Sequence, residues 1–197
     1  MLSSSYRTVA LWGSLLALAA ACSPEQSQKD PVAEAQFQNE KRIGDENVTK
    51  KQERDAEFMV EAASDGLLEV ELGRLAQQKA TQPAVKNFGQ HMATQHAEAN
   101  AALKTLAEQK GLVLPASLGR DQQETYRKLS GLTGSQFDKA YMDLMVDDHK
   151  KDVDEFEDMS EDAYDGDIRG FAAKYAPVLK QHLEMAEQVN DQVEKLP

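Results

Sequence analysis

QPAVKNFGQHMATQHAEANAALKTLAEQK, residues 82–110, decides the fold. Val85, Phe88, Met92, His96, Ala99, Leu103 and Leu106 recur in steps of three and four, the period of an α-helix with one buried face. Pro83 suits the first turn of that helix, Thr81 is placed to cap it, and Gly111 is a natural C-terminal stop. His96 stands on the stripe where an apolar side chain is expected, and a buried imidazole must find a partner.

The flanking sequence has the same organisation. Before this helix, 52–80 predicts another, with Phe58, Ala62, Glu69, Leu72 and Ala76 close to one face. After the turn-like GLVLPASLG, 120–130 reads as a short crossover helix ended by Gly131 and Gly134. A third long helix starts near Ser135 and Asp138, with Met142, Met145, His149, Val153 and Phe156 as its stripe. The acidic SEDAYDGD makes a turn, and 167–196 predicts a fourth helix. Ile168, Phe171, Tyr175, Val178, His182, Met185, Val189, Val193 and Leu196 recur along it in near-heptad spacing. Pro177 is expected to kink it unless its neighbours accommodate the bend.

Short turns make each successive pair antiparallel, so the expected fold is all-α, a four-helix bundle with a crossover helix between its second and third long helices. Glu69 lies about a dozen residues before the first turn and His96 about fifteen after it, a mismatch of roughly one helical turn. His149 and His182 stand in a similar relation about the second turn, so all four polar residues can share one layer.

Composition narrows the role. Thirty-four acidic against twenty-two basic residues give a net charge of −12, which excludes the concentrated positive face that nucleic-acid binding requires. Residues 1–21 carry Arg7, a short apolar run from Val9 to Leu18 and three alanines, the pattern of an export signal. Small residues directly before Cys22 resemble a bacterial lipoprotein signal, although Ala19 stands where Leu is preferred and Leu18 lies one step earlier. The expectation is cleavage and lipidation at Cys22, hence a membrane tether rather than a span, in the bacterial envelope and facing the periplasm. Ser23 by the same resemblance favours the outer membrane. Residues 22–50 read as a polar disordered tether with a transient helix near 33–42, and 51–197 as the helical domain.

One carboxylate and three imidazoles, Glu69, His96, His149 and His182, suit zinc, copper or a single iron. A di-iron centre needs Glu three residues before His on two helices, and Ala93, Val146 and Leu179 occupy those places. The competing reading is a metal-free structural network that fixes packing, in a scaffold that engages an envelope partner. Met92, Met145 and Met185, each one turn from a histidine, read as core fillers before copper ligands. His91 lies about 140° around its helix from His96 and is expected at the surface. Asp147, Asp148, Glu155, Glu157 and Asp158 read as solvated faces or weak cation-attracting patches. No phosphate loop, paired catalytic carboxylates or serine elbow supports an enzyme.

DAEFMVEAASDGLLEVELGRLA, VKNFGQHMATQHAEANAAL, FDKAYMDLMVDDHKKDV and APVLKQHLEMA, in that order, resemble the bacterial envelope family termed domain of unknown function 4142, grouped with the ferritin-like bundles. The resemblance implies a ferritin-like fold and an exported location, and its characteristic polar positions fall on Glu69, His96, Asp148, His149 and His182. Gln95 departs from the family's usual Asp, a position where an acid would support His96 from behind, and Asp148 is the other candidate supporting residue.

Overall fold

The computed structural model describes residues 29–45 and 50–195. The predicted signal, Cys22 and residues 23–28 of the predicted tether lie outside the described residues. Among the described residues every regular element is helical: α1 (Pro31–Asp45), α2 (Lys50–Lys79), α3 (Pro83–Lys110), α4 (Arg120–Ser130), α5 (Gly134–Asp162) and α6 (Gly166–Glu194). None of them is long and apolar enough to cross a membrane. The four long helices pack in the ring order α2, α3, α6, α5, with the heaviest contact inside the hairpins α2–α3 and α5–α6.

Within the first hairpin the helices approach very closely. A Cβ on Gly73 would lie 2.4 Å from the Gly89 carbonyl oxygen, and one on Gly89 would lie 2.7 Å from the Ala76 Cβ, so only glycine fits at this crossing. Gly111 ends α3 at φ 65°, and Leu112 N–H returns to the Ala107 carbonyl at 2.8 Å, closing the helix as the sequence predicts.

Two buried aspartates tie the hairpins together. Asp138, in the second turn of α5, accepts from the Thr81 and Gln82 N–H groups at the start of α3, and also from the Thr81 hydroxyl. Thr81 is therefore not the cap expected from the sequence: Gln82 occupies the cap position with no side-chain bond, and Asp138 of another helix binds the turn that leads into it. At the opposite end Asp55 of α2 accepts from Tyr164 N–H at 3.0 Å and Asp165 N–H at 2.7 Å, in the turn before α6. Lys110 at the end of α3 pairs with Asp165 and Asp167 beside the same turn. These end-to-end contacts make every neighbouring pair in the ring antiparallel.

The aspartates also expose an internal repeat. Asp55 is followed by an aromatic three residues on, Met four on and an acid fourteen on (Phe58, Met59, Glu69). Asp138 is followed at the same spacings by Tyr141, Met142 and Asp152. The counterpart of Glu69 is thus Asp152, and both are buried.

Two expectations are corrected. Residues 31–45 are not a disordered tether: Ala35, Asn39 and Ile43, one helical face, are buried against the domain. The Asn39 amide exchanges two hydrogen bonds with the Val113 backbone, at 2.9 and 2.7 Å, and Asp30 both caps α1 and accepts from Arg120 N–H. A polar residue at the centre of that face hid its period. In α6 the buried face carries Ala172, Ala176, Leu179, His182 and Ala186, while Phe171, Tyr175, Val178, Met185 and Val189 flank it half-buried. Small residues let α6 lie close to its neighbours, and the larger ones close the sides. Pro177 sits within an unbroken helix at an exposed position, where water can replace the donor missing for the Ala173 carbonyl.

Replacing Asp138 by Ala leaves the Thr81 and Gln82 N–H groups without their acceptor and is expected to cost about 2 kcal/mol. Urea unfolding should show a lower midpoint at unchanged slope.

Candidate metal centre

Each long helix delivers one polar side chain to the same level. Relative exposures are 1% for Glu69 (α2), 6% for His96 (α3), 0% for His149 (α5) and 2% for His182 (α6), so all four lie within the core as the sequence predicts. The three imidazoles form a nearly equilateral triangle, with ring centroids 5.5 Å apart for His96–His149, 5.1 Å for His96–His182 and 5.4 Å for His149–His182. Each can present one ring nitrogen within 4.8 Å of the nitrogens of the other two.

The outward nitrogens are held by acceptors. His149 Nδ1 donates to the Met145 carbonyl at 2.8 Å, and His182 Nε2 to Gln95 Oε1 at 2.5 Å. Glu69 Oε2 lies 2.6 Å from His96 Nδ1, and Oε1 lies 3.4 Å from His149 Nδ1. The Glu69 contacts are close but poorly aligned as hydrogen bonds, so charge couples them more than N–H direction does. With the protons held outside, the lone pairs fall on His96 Nε2, His149 Nε2 and His182 Nδ1, and each of these nitrogens is buried without a hydrogen-bond partner.

Burial keeps the His149 and His182 rings from taking a second proton. Burial pushes His149 down, with Glu69 only partly opposing it. Burial, then His96 and His149, push His182 down to about 3. For Glu69 burial acts upward, but the neighbouring imidazoles, His96 foremost, outweigh it and hold the carboxyl at about 2. An anion therefore stands beside the neutral rings of His149 and His182.

The remaining sequence candidates fall differently. Gln95 supports His182, not His96: it lies one position before His96 on α3 and points toward α6. Asp148 is half-buried, and burial with the Glu69 and Asp65 charges raises it to about 7. His91 is not a surface residue; α6 covers that flank of α3, and its ring centroid lies 5.7 Å from that of His182. Met92 and Met145 belong to the apolar core and Met185 packs against it.

Sequence reading missed Asp152. It is 7% exposed, burial and the Glu69 charge hold it well above its ordinary value, and it lines a small cavity of about 40 Å³ with Glu69, His96, His182, Asn100 and Tyr175. That volume holds a water or a molecule of similar size, not a large substrate. A Cβ on Gly66 would fall 2.3 Å from Asn100 Oδ1, so the glycine makes room for Asn100 at the cavity wall. The aspartate sits on an acid-rich helix, and only its spacing from Asp138 marked it out.

The family profile of domain of unknown function 4142 matches residues 42–189. The chain belongs to this family. The match spans the four long helices almost entirely and contains every residue of the histidine layer. No curated protein and no solved structure matches the chain. For this DUF4142 protein, the chemistry of the layer therefore rests on its own geometry.

Glu155, on the α2–α5 face, is raised to about 7 by burial and then by Glu61. A carboxyl raised on folding favours the native state only while protonated, so stability is lost as pH climbs from about 4.5 toward 7. Glu155→Gln should stabilise the domain at pH 8 by about 1 kcal/mol, after discounting for partial exposure, and do nothing at pH 4. Thermal melts at the two pH values check this.

Proposed function

We propose that this protein is a metal-binding envelope lipoprotein whose antiparallel, ferritin-like four-helix bundle holds one transition-metal ion at His96, His149 and His182. The observation that carries this reading is the set of three buried imidazole nitrogens with lone pairs and no hydrogen donor. Each orphaned acceptor costs about 1–3 kcal/mol in an apo core, a cost that a cation would offset. A structural network would instead pair those atoms with each other.

The surroundings suit the same reading. A metal-ligating histidine characteristically donates its other N–H to a carbonyl or carboxylate; the Met145 carbonyl and the Gln95 amide oxygen do this for His149 and His182, and the Glu69 carboxylate lies 2.6 Å from His96 Nδ1. Glu69 thus acts from behind the rings, countering the cation's charge, rather than as the fourth ligand expected from the sequence. Three imidazoles suit zinc, copper or iron, and the cavity beside His96 and His182 has room for a water. A fixed, buried site on a tethered domain fits metal buffering or protection against envelope stress.

Isothermal titration and elemental analysis should find one equivalent of Zn²⁺ or Co²⁺. His149→Ala should weaken affinity by about 100-fold or more, and Gln95→Ala by about 10-fold, because it frees His182 without removing a ligand. Uptake no greater than that of a variant with all three histidines replaced by Ala would end the metal reading.

The lipid anchor is tested separately. Cells fed a labelled fatty acid should incorporate it into the wild-type chain and not into Cys22→Ser, which should leave the membrane fraction.

A further inference from the structure

Glu61, Asp65 and Glu69 recur every four residues on α2, and Asp148, Asp152 and Glu155 at steps of four and three on α5, so each set forms one stripe. The two helices are antiparallel neighbours, their register marked by Arg54 against Asp158 and Asp162. That register sets the acids opposite one another as three rungs: Glu61 with Glu155, Asp65 with Asp152, and Glu69 with Asp148. Successive rungs are about 6 Å apart along the helix.

Burial deepens inward along the α2 side of the ladder, while on α5 Asp152 is buried and Asp148 half-buried. Glu61 and Glu155 are half-buried at its outer end, the Asp65 side chain is 26% exposed, Asp152 is 7% exposed and Glu69 is 1% exposed beside the histidines. One cation, Lys151, bridges into the seam and meets Asp65 at 3.2 Å. Asp152 is more than nine-tenths buried, makes no hydrogen bond or ion pair to another of the described residues, and lines the cavity shared with Glu69, His96 and His182. Three imidazole nitrogens stand unpartnered just beyond it. A buried acid on the middle rung of an acidic ladder, lining the cavity that reaches the histidines, is placed to receive a cation.

We propose that the α2–α5 acidic seam is the route by which a divalent cation reaches the histidine triangle, with Asp152 handing it from the ladder to the imidazoles. This rests on the metal-binding reading of the same site. The ladder lowers the barrier for a dication to leave water, since carboxylate oxygens replace its hydration shell in steps. Lys151 holds the seam closed as an internal counter-charge until the cation displaces it. A ladder of one sign with low-dielectric walls also concentrates cations at its mouth.

Stopped-flow uptake of Co²⁺ by the full chain, followed by the visible absorption of the nitrogen-ligated ion, tests the route. Release is followed after a chelator is added. Glu61→Gln/Glu155→Gln removes the outer rung without touching a ligand and should slow uptake and release together by about 10-fold, with affinity nearly unchanged. Asp152→Asn should slow uptake at least as much. Lys151→Gln should accelerate it. Circular dichroism confirms that the variants are folded. A charge-matched control, Glu98→Gln/Glu108→Gln on the exposed face of α3, should take up Co²⁺ at the wild-type rate. The route is overturned if the seam variants take up Co²⁺ at the wild-type rate, or if the control slows uptake equally, which would assign the effect to net charge. Wild-type protein that binds no Co²⁺ at all removes the histidine site itself, an outcome distinct from normal binding at unchanged rates.

Discussion

Two buried carboxylates, each bound by the other hairpin's turn, set the register of this protein. Asp138 of the second hairpin accepts the unpaired N–H groups at the turn of the first, and Asp55 of the first does the same for the second. Turn N–H groups buried between hairpins must be satisfied somewhere, and here each hairpin's carboxylate satisfies those of the other's turn. A slide of one hairpin along the other by a single turn would orphan both aspartates and the N–H groups they serve. The level of every side chain in the core follows from that constraint, including the coincidence of Glu69, His96, His149 and His182.

Given the register, the chemistry of the layer is a matter of which atoms face inward. The outer nitrogens of His149 and His182 are committed to a carbonyl and a carboxamide, and Glu69 stands behind His96. What remains at the centre is lone pairs, held in a core whose burial keeps His149 and His182 unprotonated. Around it, the internal repeat has diverged: Glu69 and Asp152 occupy equivalent places, but the position equivalent to His149 is Gly66 on α2, where Asn100 fills the space. One half of the repeat supplies an imidazole where the other supplies room. The site is therefore asymmetric within a nearly symmetric frame, with the histidines toward one face of the layer and the acids of the α2–α5 seam toward another.

Much of the fold was legible because periodicity is a local property. The steps of three and four from Val85 to Leu106, the glycine at 111 and the turns at 80–82 and 163–165 specify long helices and their order, and the helices fall within a residue or two of their expected ends. The four interrupting polar residues were equally visible, since a charged or imidazole side chain on an apolar stripe stands out. Where the reading failed, the signal was weak or lay elsewhere in the chain. Asn39 masked the buried face of α1 because its partner, the Val113 backbone, is remote in sequence. Thr81 looked like a cap because the partner of its hydroxyl, Asp138, lies on another helix. Asp152 looked like one more surface acid on an acidic helix.

The sequence by itself determined that this chain is all-helical, which faces of its helices are apolar, and that one Glu and three His residues share a level. Those follow from propensity, spacing and the 1.5 Å rise per residue, all properties of a single helix. Only the tertiary structure decided which nitrogen of each imidazole faces the centre, that Glu69 stands behind the rings, that Gln95 serves His182, and that Asp152 is buried. Those depend on the rotation and approach of helices about one another, which spacing along one helix does not encode.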